Sequence, residues 1–116
     1  MRDLAPVFKA LGDETRLAIM ALIIRRGDLC VCDFEAVLGI SQSKSSRHLR
    51  YLLNAGLVEN RREGVWMHYR IPRKADARTR AVISSLRPIL AGGELERLGE
   101  RLDAWLARKK RRAVCR

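Results

Sequence analysis

Two cysteines one residue apart, Cys30 and Cys32, are the side chains of this chain best suited to chemistry. Thiolates are soft ligands and select soft or thiophilic ions. In mid-helix, side chains at i and i+2 diverge. At a helix start both sulfurs can turn toward one ion. The electropositive helix N-terminus is also expected to lower a thiol pKa there and favour the metal-binding thiolate. The plainer alternative is a buried cysteine acting as a small hydrophobe. Cys115 is the one other thiol, and it sits in a basic C-terminal stretch. Three cysteines are an odd number, and a bridge between Cys30 and Cys32 would be strained. Free thiols in a reducing cytoplasm are therefore expected.

The second constellation is basic. The formal net charge is +11, and residues 41–74 and 108–116 each contribute +6 while the rest is nearly neutral. Charge concentrated in this way is the footprint of a surface that neutralises phosphates. Within the first stretch, Ser41 is placed to cap a helix from Gln42 to Asn54. Gln42, Ser43, Lys44, Ser46 and Arg47 lie in its first turns. Glutamine can pair with adenine and arginine with guanine through two hydrogen bonds each, and a helix N-terminus favours phosphate. Arg61 and Arg62 flank a Gly-containing turn, where a hairpin would carry them to the DNA backbone or minor groove. A solvated basic face is the bland alternative for the helix alone, and a solubilising tail for residues 108–116.

These groups need elements to position them. Leu4, Val7, Phe8 and Leu11 predict a short first helix with one apolar face. Asp13 caps a second helix, apolar around most of its circumference and therefore central, which Gly27-Asp28 ends. A third helix runs from about Cys32 to Leu38, with Gly39-Ile40 as the turn before Ser41. Segments 57–62 and 65–71 around Glu63-Gly64 read as a hairpin. Helices from about Asp76 to Leu90 and from Glu94 to about Lys110 follow. Leu95, Leu98, Leu102, Trp105 and Leu106 stripe the last one, for a second subunit or for this chain's own first helix. The fold class is mainly α with a small β-hairpin, a winged helix-turn-helix. It fills residues 1–116 as one domain, with a core to about residue 90 and a terminal helix and tail over 94–116.

Helix, turn, capped basic helix and basic hairpin, in that order, suit the major groove of double-stranded DNA. Leu29-Cys30-Val31-Cys32-Asp33, Ser41-Gln42-Ser43, Ser46-Arg47-His48-Leu49, Ala55-Gly56-Leu57-Val58, and Arg62-Glu63-Gly64 with His68-Tyr69-Arg70 resemble the ArsR/SmtB family of metal-responsive repressors over about residues 5–72. The Leu-Cys-Val-Cys-Asp string resembles its arsenite-sensing and cadmium/lead-sensing branches. The resemblance implies a homodimer, joined by its first and last helices, on an operator of two-fold symmetry. It implies release from DNA when As(III), or the similar Sb(III), binds Cys30 and Cys32. Arsenite in that family takes three sulfurs, and the usual third position here is Glu35. Cys115, or an external solvent or thiol ligand, would then complete the set. Ser45 stands where the family commonly has an aliphatic residue. His48 and His68 read as structural.

Other functions stay open at this point. They are cadmium or lead sensing, a thiol redox switch on the same fold, and an effector-independent architectural DNA-binding protein. An enzyme is not expected, since the chain has no Gly-rich phosphate loop, nucleophile elbow or plausible carboxylate pair. No apolar run approaches the roughly 18 residues of a membrane span, and the N-terminus lacks a secretory signal. A cytoplasmic protein is the expectation.

Overall fold

The computed structural model describes residues 2–112, with side chains to Lys110. Element order is α1 (Ala5–Leu11), α2 (Glu14–Arg26), β1 (Asp28–Cys30), α3 (Val31–Leu38), α4 (Gln42–Asn54), β2 (Glu59–Glu63), β3 (Trp66–Arg70), α5 (Ala77–Ile89) and α6 (Gly93–Arg112). Helix α4 has the bounds its cap and periodicity predict. The Asp13 carboxylate accepts from the Arg16 backbone N–H at 3.0 Å, so α2 starts where a capping aspartate should start it. Gly27, at φ +92°, then ends α2 in a conformation that an L side chain resists. Ile19, Met20, Leu22 and Ile23 of α2 are fully buried, which makes this helix the spine of the core.

Two expectations for the helices change. In α1 the inward face is Val7, Ala10 and Leu11, while Phe8 is 58% exposed. Small Ala10 takes the inward position and turns Phe8 to solvent. The apolar stripe of α6 packs on this chain's own core, on α2 and α3 where α1 was expected. Leu102 is fully buried, and Leu95, Leu98, Trp105 and Leu106 pack on the common core. Helix α6 lies on α2 and α3. The Arg25 side chain crosses α6 where Gly99 leaves room, since a Cβ there would come within 2.5 Å of its guanidinium. Arg25 ends in ion pairs with Glu96 at 3.2 Å and Asp103 at 2.7 Å.

The hairpin of β2 and β3 belongs to a three-stranded antiparallel sheet of order β1-β3-β2. Strand β1 is only Asp28, Leu29 and Cys30, paired to Arg70, Tyr69 and His68. Nothing local in those residues specifies a strand, because β1 exists only by pairing with β3. Cys30 is thus the last residue of β1 and the cap of α3. Among the described residues no helix is long and apolar enough to cross a membrane.

Candidate DNA-reading surface and thiol site

Helix α4 divides as its sequence does. Ser45, Leu49 and Leu52 are buried, while Gln42, Ser43, Lys44, Ser46 and Arg47 are exposed together on the first turns. The Ser41 hydroxyl accepts from the Lys44 backbone N–H at 3.1 Å, which fixes the helix start. Arg16 of α2 braces this helix from behind. Its guanidinium lies 4.0 Å from the centre of the Tyr51 ring, donates to the Ala10 carbonyl at 2.6 Å, and meets His48 Nδ1 at 3.2 Å. Burial lowers the His48 pKa, with Arg16, Lys44 and Arg47 acting in the same direction against Asp13. A neutral His48 can accept from Arg16 through Nδ1. His48 is thus a brace inside the motif, as its sequence position suggests.

Ser45 is less settled. Its hydroxyl is fully buried and has no hydrogen-bond partner. That orphaned group sits directly under the reading face, at the position where the resemblance calls for an aliphatic side chain.

The two hairpin arginines separate. Neighbours on a strand face opposite sides of the sheet. Arg62 is exposed. Arg61 is tied back to Asp28 at 3.0 Å and Glu63 at 3.2 Å. Its two carboxylate partners compete with any phosphate for the guanidinium. His68 joins the same group, 3.2 Å from Asp28 and 3.3 Å from Glu63. His68 therefore braces the hairpin, and Arg61 serves as a strut between β1 and the turn.

At the other site, the Cys30 and Cys32 sulfurs lie 3.2 Å apart. The helix start does what the spacing requires, since Cys30 in extended conformation followed by Cys32 in the first helical turn points both sulfurs the same way. The expected pKa effect is reversed. Burial pushes the Cys30 thiol up, the nearby Asp33 and Glu35 charges add to this, and the Cys32 N–H and Lys109 only partly oppose it. The helix-terminus effect is present, but a cysteine 1% exposed is governed by desolvation. Metal capture there must displace a proton.

Asp33, Trp105 and Lys109 complete the neighbourhood, and sequence reasoning did not single them out. The Asp33 carboxylate accepts from the Cys30 backbone N–H, from Trp105 Nε1 and from Lys109 Nζ, each at 2.8 Å. The signal was available for Asp33 alone: Cys30-x-x-Asp33 has the spacing of a capping box with sulfur in the cap position. Among the described residues no group of three or more His, Cys, Asp or Glu side chains is placed to hold a metal ion. Cys115 lies outside the described residues, as do its neighbours over 113–116.

Residues 13–60 match the model of the bacterial regulatory protein, arsR family. They run from the cap of α2 into β2 and so contain both cysteines and all of α4. The arsenic resistance transcriptional regulator ArsR1 of Pseudomonas putida is 41% identical over 82% of this chain and 79% of its own length. This chain belongs to the arsR family. The arsenical resistance operon repressor of Escherichia coli is 49% identical over 61% of this chain and 62% of its own length. Among solved structures, the homodimeric winged helix-turn-helix domain Mb0332 of Mycobacterium bovis superposes with a TM-score of 0.64 at 31% identity, covering 76% of this chain and 78% of that one. An arsR-family regulator has its DNA-binding element in the winged helix-turn-helix, which here is α3, α4 and the β2–β3 hairpin.

Proposed function

We propose that this arsR-family regulator is a repressor that leaves its operator when As(III), or Sb(III), binds Cys30 and Cys32. One observation carries the reading. Two sulfurs 3.2 Å apart stand at the junction of β1 and α3, directly between the hairpin and the reading helix. Arsenite is As(OH)3 in neutral water. Each thiol that exchanges forms one As–S bond as one As–O bond breaks, and the thiol proton leaves with the hydroxide as water. No oxidation state changes. The arsenical-resistance repressors related to this chain support As(III) over other soft ions.

Operator DNA is read by Gln42, Ser43, Lys44, Ser46 and Arg47 in the major groove, while Arg62 meets the backbone. Arg61 contributes by holding the hairpin, not by touching phosphate. The active form is a homodimer, as Mb0332 is. Because α6 covers its own chain, the dimer surface lies on α1 and α5, where Phe8 and Ile89 stand 58% and 67% exposed. Binding at Cys30 reaches the hairpin through β1 and α4 through α3, so the reading elements lose the mutual placement that a two-fold operator demands.

A gel-shift titration of a palindromic promoter fragment with arsenite, antimonite, cadmium, lead and zinc tests this. Arsenite or antimonite should weaken operator binding about 5–150-fold. Cys30→Ser and Cys32→Ser should bind DNA normally and ignore both. Cys115→Ser should respond partially if the tail thiol is the third ligand and fully if an external ligand serves. A Cys30→Ser, Cys32→Ser double variant still released by arsenite overturns the assignment.

A further inference from the structure

Helix α6 is fastened to the rest of the chain at two places of different character. Along its first half, from Glu96 to Asp103 at its middle, Arg25 and Arg26 of α2 clasp α6 at the surface. Nearer its end, Trp105 and Lys109, one helical turn apart, both reach one oxygen of Asp33. Asp33 is 2% exposed, and the Lys109 side chain 14%. A buried carboxylate is tolerated only when its oxygens are satisfied and its charge is balanced. Here the second oxygen takes the Cys30 N–H, and the first also lies 4.0 Å from the Cys32 sulfur. The carboxylate that holds α6 is therefore positioned by the backbone of Cys30 and lies beside the Cys32 sulfur.

We propose that Asp33, Trp105 and Lys109 couple the thiol pair to α6, with Asp33 as the positioning residue. The proposal rests on the reading of Cys30 and Cys32 as the effector site. When both sulfurs turn onto one ion, the helix start re-forms around it, and the Cys30 N–H that holds Asp33 shifts with the cap. The indole and ammonium that Asp33 holds must then move or find new partners. The Arg25 clasp does not touch the thiols and stays closed, so α6 pivots on it. Effector binding thus repositions a terminal helix as well as the reading elements.

The chain has two tryptophans, so a Trp66→Phe protein carries Trp105 as its single indole. Arsenite added to this protein should shift the Trp105 emission with the same midpoint as operator release, and the Cys30→Ser, Cys32→Ser variant should show no shift. In the parent background, Trp105→Phe and Lys109→Met should still bind operator and still bind arsenite, followed by As–S absorption. Their arsenite-dependent loss of DNA affinity should shrink by about 2–30-fold, the scale on which residues along a coupling route act. Lys109→Arg should restore it. A purely structural role would lower thermal stability equally with and without arsenite and leave the coupling factor alone. Should Lys109→Met not fold, the Trp105 emission decides, because Asp33 and Lys109 are native in that protein. Release of DNA by arsenite with Trp105 emission unmoved overturns the coupling and spares the effector site. A Trp66→Phe protein that neither binds nor responds to arsenite overturns both.

Discussion

The first turns of α3 and α4 are both capped helix starts about ten residues apart, and the proposed function gives them opposite work. At α4 the cap is an exposed Ser41 hydroxyl, and five polar side chains beyond it are free of the fold. At α3 the cap is a buried cysteine, and the acidic side chain of that turn is tied to a strand residue and a distant helix. A surface that reads DNA needs side chains that answer only to the ligand. A site that reports occupancy needs the reverse, so that nothing there can move alone. Local propensity builds the first, and tertiary contact builds the second.

The sharpest way to break the contrast is to remove each cap partner. Asp33→Ala leaves an ammonium and an indole N–H without their acceptor and should cost about 3 kcal/mol, the low end for a broken buried pair, because Lys109 can swing toward water. Ser41→Ala should cost about 1 kcal/mol, as exposed caps do. Equal losses in urea denaturation would erase the distinction between the two turns. Arg47→Ala should leave stability untouched and cost about 1–3 kcal/mol of operator affinity.

A smaller effect of opposite sign comes from the buried face of α4. Ser45→Ala removes a hydroxyl that has no partner and should stabilise the chain by about 1 kcal/mol, read as a higher midpoint in the same denaturation. A loss of stability would mean that the hydroxyl is satisfied in solution and that the open face of α4 rests on a settled core. The smallest effect lies in the hairpin. Arg62→Ala should lower the slope of log affinity against log salt by about 1, as loss of one phosphate contact does. Arg61→Ala should leave the slope unchanged and loosen the hairpin instead. Equal slopes for the two variants would place both arginines on DNA.

Much of this was legible in the sequence, and the boundary is physical. Helix α4, its cap and its two faces follow from Ser41 and the spacing of Leu49 and Leu52, because a helix wheel is local. The hairpin follows from β-prone segments around Gly64. Strand β1 does not, since three residues become a strand only against β3. The partition of Arg61 from Arg62 was available in principle from strand alternation, but the carboxylate of Asp28 lies 33 residues away in sequence. The depressed thiol pKa expected from the helix terminus failed because burial of Cys30 depends on the whole core. Trp105 was visible only as part of the apolar stripe and Lys109 only as part of the basic stretch 108–116, and their turn toward Asp33 spans more than seventy residues.

The short sheet has one more consequence, for how copies of this chain can meet. Exposed strand edges are templates for pairing with other chains, and proteins blunt them with charge or brevity. Both edges here are blunted. Strand β1 gives way after three residues to helix α3, and β2 reads Glu-Asn-Arg-Arg-Glu. Neither edge offers a long flat ladder to a neighbour. Association by strand addition, with its open-ended growth, is disfavoured by construction, and contact between copies is left to helix faces, where a two-fold arrangement can close on itself.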